Sequence, residues 1–237
     1  MPSDLIFEHP DWSLIQEPPE NCESGWVNGN GLVIGLQHFG PDAPLRERLT
    51  DVTAARDHYR AGFAAQGMGL VQCDLLNLDR AQAVQAIGKI ILKPRGAAYV
   101  GTIALPLPQE SYVLNVAAQE TGITGLRETA VMLKATTDLE RQGYSLEPPP
   151  EVKAGQPPGG AKLAIAWKNT QTGSVLRWAQ DPYELDYEGP CLRNMADAPE
   201  NDKRFAGHPL TQVRATLQCL VQSIKLSAHL KKRAGIQ

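Results

Sequence analysis

This chain lacks paired cysteines. Its four, Cys22, Cys73, Cys191 and Cys219, form no CxxC pair, which argues against a zinc ribbon or a thioredoxin-type dithiol site. They are expected to be buried or half-buried free thiols in a reducing compartment. Also missing are GxGxxG at a strand-to-helix turn, GxxxxGKS/T, GxSxG and HExxH. Their absence argues against nucleotide binding on those frameworks, a nucleophile elbow and a zinc-protease helix. The N-terminus, Met1 to Pro10, has no basic stretch followed by a long apolar one. No run approaches the roughly 18 apolar residues of a membrane helix. The expectation is a cytoplasmic, bacterial-type protein with no membrane contact. A net charge of -3 and a pI near 6.0 give no long-range attraction to nucleic acid.

What is present suffices for a folded core. The 237 residues are 42% hydrophobic and 21% charged, enough to bury a sizeable interior without disulfide or metal staples. Leu5–Glu8 and Trp12–Ile15 read as short edge strands, each stopped by proline. Asn28-Gly29-Asn30-Gly31 is a turn signal between Cys22–Val27 and Leu32–Phe39, and Leu32, Ile34 and Leu36 should share the core-facing side of that hairpin. Leu45, Leu49, Val52, Ala55, Tyr59 and Phe63 fall at helical steps, with Asp57 and Arg60 off that stripe, and predict a helix from about Pro44 to Gln66 closed by Gly67.

Four β-rich runs follow: Gly69–Leu78, Ala83–Lys93, Ala98–Leu105 and Ser111–Gln119. Short breaks between them suggest an antiparallel meander. A helix over Arg80–Ile91 is the alternative for the second run. Thr124 could cap a second helix, Thr124–Arg141, with Leu126, Ala130, Leu133 and Leu139 inward and Gly143 at its end. Glu147–Gly160 holds five prolines and three glycines, so it reads as a loop dividing a front part (1–146) from a tail (161–237). The tail offers a hairpin, Leu163–Trp167 with Ser174–Ala179. It ends in a helix from Pro209 with Leu210, Val213, Leu217, Leu220, Ile224 and Ala228 buried. That stripe needs a partner, so the tail should pack on the same core within one domain.

Residues 5–135, from Leu5–Trp12 through the Asn28–Phe39 arm, the Leu45–Phe63 helix and the strands to Ala118, run in an order that resembles the PsbP-like fold. The resemblance implies an α-β-α sandwich around a central antiparallel sheet, here with a C-terminal extension ending in a helix. It also implies a binding module that does no chemistry: members include photosystem accessory subunits, a GTPase-binding protein and secretion-system effector chaperones. No functional residue carries over.

The candidate site residues are Glu120, Arg127, Trp178, Tyr183, Tyr187 and His208. Glu120 and Arg127 bracket the turn before the second helix and could bind an anion beside its N-terminus, or simply form a surface ion pair. The stretch Asp181–Glu188, with Tyr183 and Tyr187, reads as a solvated acidic loop or a partner-facing patch, and lacks EF-hand spacing. Trp12, Trp26, Trp167 and Trp178 are recognition anchors or packing residues. Lys231-Lys232-Arg233 is a solvated helix end. The histidines form no local metal motif, so no metal or cofactor is expected. Three functions stay open. The first is a non-enzymatic module that binds another protein, as a chaperone, adaptor or immunity-like factor. The second is a hydrolase or transferase whose site gathers His38, Glu120, Arg127 and His208. The third is a structural subunit that self-associates through the last helix.

Overall fold

The computed structural model describes residues 4–7, 11–40, 51–147 and 165–236. Leu45, Leu49 and the charged Arg46–Arg48 lie outside the described residues, as does most of the Pro/Gly-rich loop. Twelve strands and four helices are described: β1 Leu5–Ile6, β2 Trp12–Leu14, β3 Ser24–Asn28, β4 Val33–Phe39, α1 Val52–Ala65, β5 Gly69–Leu78, β6 Ala81–Ile91, β7 Ala97–Pro106, β8 Ser111–Gln119, α2 Leu126–Arg141, β9 Tyr144–Leu146, β10 Ala166–Asn169, β11 Val175–Arg177, α3 Pro209–Ser223, β12 Lys225–Leu226 and α4 Ala228–Ala234. Two short 3₁₀ turns, Met195–Asp197 and Pro199–Phe205, precede α3.

The central sheet is antiparallel and seven-stranded, in the order β2-β3-β4-β8-β7-β6-β5. The meander forms as its spacing predicts, and Ala81–Ile91 is a strand. Alternation divides β7 between two layers. Tyr99, Ile103 and Leu105 meet α3 through Leu210, Val213 and Leu217, together with Leu32, Ile34 and Leu36. Ala104 faces the opposite layer, where Ala55, Tyr59 and Phe63 of α1 pack on Val84 and Ala86. The result is an α+β sandwich with α1 on one face and α3 on the other. Burial pushes the Cys73 thiol in the α1 layer up to about 12, which leaves it an inert packing group. Cys22, Cys73 and Cys191 are buried or half-buried free thiols, while Cys219 is exposed.

Several sequence expectations are corrected. Strand β5 carries a β-bulge that the run Gly69–Leu78 did not announce, with register slipping between Leu70 and Gln72. Leu70 faces the α1 layer and Val71 the α3 layer, and beyond the bulge the phase is reversed, so that Cys73 rejoins the layer of Leu70. Thr124 does not cap α2. The N-cap is Gly125 in the left-handed region, and its amide donates to Glu120 Oε1. The last helix ends at Ser223, a short strand pairs Leu226 with Leu5, and Ala228 begins a separate helix on its exposed side. Lys231 and Arg233 are not a free helix end. Lys231 pairs with Asp79 at 2.8 Å, and Arg233 reaches Asp4 at 2.9 Å and Glu110 at 2.7 Å.

The inner face of α2 is the largest revision. Leu126 and Leu133 are 60% and 71% exposed, while Arg127 and Val131 are buried. Helix α2 packs on the first 3₁₀ turn and on a small sheet, β11-β10-β9, around Trp167 and Trp178. Both tryptophans are core residues.

Two glycines permit close packing. A Cβ on Gly101 would stand 2.6 Å from Leu217 Cδ1 and 2.7 Å from Val213 Cγ1, and one on Gly69 would sit 1.6 Å from the Cys191 carbonyl oxygen. Helix α3 therefore lies directly on β7, and the tail lies on the start of β5. Gly101→Val should lower stability by about 1–3 kcal/mol, read as a fall in urea midpoint. An unchanged midpoint would mean that α3 does not seat on Gly101.

Candidate functional site

The segment between Asp181 and His208 returns across the sheet, and a few buried charges hold it there. Asn194 and Asp197 form a reciprocal capping box around the first 3₁₀ turn, with Asp197 N donating to Asn194 Oδ1 at 3.1 Å and Asn194 N to Asp197 Oδ2 at 3.0 Å. The same Asp197 is 0% exposed and takes two contacts from Lys89 Nζ, at 3.0 and 3.1 Å, and one from the Tyr99 hydroxyl at 3.3 Å. Lys89 and Tyr99 are cross-strand neighbours on β6 and β7, so one sheet face presents both. Burial pulls the Lys89 ammonium pKa down, but the Asp197 and Glu128 carboxylates outweigh burial and raise it. Lys89 therefore stays charged inside the protein.

Arg127 is the second anchor. Its guanidinium donates to the Ala196 carbonyl at 2.6 Å, Thr211 Oγ1 at 2.8 Å, the Ala198 carbonyl at 3.2 Å and Asp202 Oδ1 at 2.8 Å. Arg214 of α3 completes the lattice with Asp202 at 3.1 Å and the Asp197 carbonyl at 2.6 Å. A planar five-donor group suits this work of joining three chain segments. Arg127 is thus neither the surface ion pair nor the free anion receptor that its sequence context allowed.

Glu120 and His208 meet beside it. Glu120 accepts from Gly125 N at 3.0 Å through Oε1 and from Ala97 N at 2.9 Å through Oε2. His208 is the N-cap of α3, and its Nδ1 accepts from Leu210 N at 3.2 Å. Its Nε2 stands 3.5 Å from Glu120 Oε1, and their side chains are 8% and 7% exposed. Burial raises the Glu120 carboxyl, but His208 and the two backbone amides outweigh it and hold the group below the usual carboxylate range. Glu120, Arg127 and His208 line one recess of about 600 Å³, with Ile123, Leu126 and Phe205 at its apolar wall.

The other candidates lie elsewhere. His38 sits 3.0 Å from Glu110 and 3.4 Å from Glu23 and stacks on Tyr112, outside this recess. Trp178 is 6% exposed and packs edge-on against Trp167. Tyr183 closes the open edge of β5: its hydroxyl accepts from Cys73 N at 2.7 Å and donates to Cys73 O at 3.2 Å, under the Arg56 guanidinium at 3.7 Å from the ring. The Arg60 guanidinium lies 5.3 Å from the Tyr187 ring. Asp181, expected in a solvated loop, is 2% exposed and grips Arg60 through two 3.0 Å contacts. Arg60 was expected off the buried stripe of its helix, and Asp181 draws it inward.

Lys89, Asp197 and Asp202 escaped sequence reasoning. The readable signal was Lys89, a single charge inside the apolar run Val84–Ile91, since a buried ammonium needs a partner. Asn194-x-x-Asp197 is the matching capping signal.

No family model matches the chain, and no curated protein matches it. Among solved structures it is similar to LpqN of Mycobacterium tuberculosis, described as involved in cell envelope biogenesis, at 17% identity over 58% of this chain and 80% of that one, with a TM-score of 0.32. It is also similar to PsbP (CyanoP) of Synechocystis sp. PCC 6803, at 11% identity over 57% of this chain and 84% of that one, with a TM-score of 0.34. The second of these neighbours is itself a PsbP protein, the family whose fold the element order resembles.

Two predictions follow from the charges. Lys89→Met and Asp197→Asn should each cost about 3–5 kcal/mol, because each strands a buried charge, while the double variant should cost less than their sum. Additive losses in urea unfolding would refute the coupling. Burial raises the Asp181 carboxyl, but Arg60 and the Tyr183 and Glu184 amides outweigh it and lower the folded value below 3.8. The unfolded chain therefore takes up this proton first. The stability Asp181 supplies is complete above pH 3.8 and is lost as pH falls through the folded value. Arg60→Met should flatten that part of the acid-unfolding curve.

Proposed function

We propose that this chain is a non-enzymatic protein-binding module whose partner docks on the outward stripe of α2 and the adjoining recess. The observation that carries this reading is the row Ile123, Leu126 and Leu133, which are 83%, 60% and 71% exposed. A helix normally turns such a stripe inward. Here Arg127 claims the inward position, and large apolar side chains remain in water beside a concave, polar-floored recess, the arrangement of a docking surface. A cytoplasmic setting belongs to the same proposal.

The enzyme reading gains from one observation: Glu120, Arg127 and His208, chosen from sequence as distant candidates, line the same recess. It loses because Arg127 is committed to four acceptors, and both Glu120 oxygens already bind backbone amides. Among the described residues, no serine or cysteine hydroxyl or thiol is hydrogen-bonded to His208.

Photo-crosslinking in cells tests the docking surface. A crosslinker at Ile123 or Leu133 should give a discrete protein adduct, whereas one at exposed Gln222 should not. Leu126→Asp with Leu133→Asp should abolish the adduct and change stability by less than about 1 kcal/mol, as exposed positions do. Equal labelling at Gln222, or no adduct at either position, would sink the reading. An adduct of the chain with itself would replace it with the self-associating subunit.

A further inference from the structure

We propose that Glu120, Glu128 and His208 form a binding site for one divalent transition-metal ion, zinc or manganese, behind the floor of the recess. The inference goes beyond the docking surface and does not depend on it. One ligand atom from each residue lies within 4.8 Å of the other two. The three come from separate elements: Glu120 follows β8, Glu128 is in the first turn of α2, and His208 caps α3. Two carboxylates and an imidazole make a mixed oxygen and nitrogen set that suits borderline first-row ions. With metal–ligand bonds of about 2.0–2.2 Å, donors around one ion stand roughly 3–4 Å apart, so side-chain rotation alone can bring these into range.

Two observations point to a ligand rather than to a chance meeting of acids. First, Glu128 Oε2 is buried with no hydrogen-bond partner, and buried His208 Nε2 makes no hydrogen bond, having only the Glu120 carboxylate near it at 3.5 Å. Buried polar atoms are almost always satisfied, and the His208 side chain is only 8% exposed. Second, the charge is unbalanced. Glu128 and Asp197 share the single ammonium of Lys89, at 3.4 and 3.0 Å, and Glu120 stands beside them at 3.5 Å from His208. Arg127 is paired with Asp202. A divalent ion satisfies both orphaned atoms and offsets the excess negative charge. The backbone amides of Ala97 and Gly125 already fix the Glu120 carboxylate, the outer support a metal ligand requires.

Two features oppose the ion and set its affinity. Lys89 Nζ is 3.4 Å from Glu128 Oε1, so a cation nearby feels its repulsion. Because Nδ1 accepts from Leu210 N, the neutral imidazole carries its proton on Nε2. Binding moves that proton to Nδ1 and sacrifices the cap hydrogen bond. The expected affinity is therefore on the order of micromolar, far weaker than structural zinc sites.

The test is calorimetric titration of the chelator-treated full chain with zinc chloride and with manganese chloride, alongside thermal melts. One equivalent of either ion should bind and raise Tm. Glu128→Gln keeps the shape of the side chain, and His208→Asn keeps an acceptor for the Leu210 amide, so both variants should fold. Each should weaken binding about tenfold or more, while His38→Ala, at the surface cluster of His38, Glu23 and Glu110, should leave it unchanged. No binding of either ion to the wild-type chain would overturn the proposal, as would binding that survives both variants or is lost in His38→Ala. Bound cobalt should show visible bands without the strong near-ultraviolet band of thiolate ligation. A thiolate band would move the site to a cysteine and overturn it equally.

Discussion

The architecture depends on one buried ion pair. Lys89 projects from β6, one strand in from the sheet edge, and Asp197 reaches it from more than a hundred residues along the chain with both of its oxygens. Neither charge is tolerable alone in this interior, since an isolated buried charge costs several kcal/mol. The sheet and the returning segment are therefore bound to each other by a desolvation penalty that only their contact relieves. The capping box of Asn194 holds the Asp197 carboxylate ready for that contact. Such a pair selects one arrangement more than it adds stability, because a displaced segment would strand the ammonium.

Arg127 extends the same constraint to the helices. It links the first turn of α2 to both 3₁₀ turns and to Thr211 of α3. The guanidinium turns α2 about its axis, so the side chains that periodicity would bury are left facing solvent. The exposed stripe and the buried arginine are one event. The recess is its by-product: with Arg127 drawn under the chain, Glu120 and His208 meet at the floor and Ile123 and Leu126 stand at the rim. The exposed apolar rim and the Glu120–His208 pair thus line one recess.

Most of the framework was legible from local pattern. Asn28 to Gly31 predicts a turn, and Asn28 Oδ1 accepts from the Asn30 and Leu32 amides there, at 3.0 Å each. The Gly67 and Gly143 stops adopt positive φ, as a helix C-terminus demands. The meander was readable because strand alternation and turn residues are local signals. The pairing of β4 with β8 and of β1 with β12 was not, since strand partners separated by long stretches leave no mark in either strand.

By itself the sequence determined the element types, the two-sided core pattern and the need of the last long helix for a sheet to cover. These follow from side-chain period and turn chemistry, which act over a few residues. Only the tertiary structure decided which way α2 faces, where Asp181 and Asp197 find their cations, and that Glu120, Glu128 and His208 share one place. The physical reason is that a buried charge is satisfied by whatever partner the folded chain brings near it, and that partner can come from any distance along the sequence.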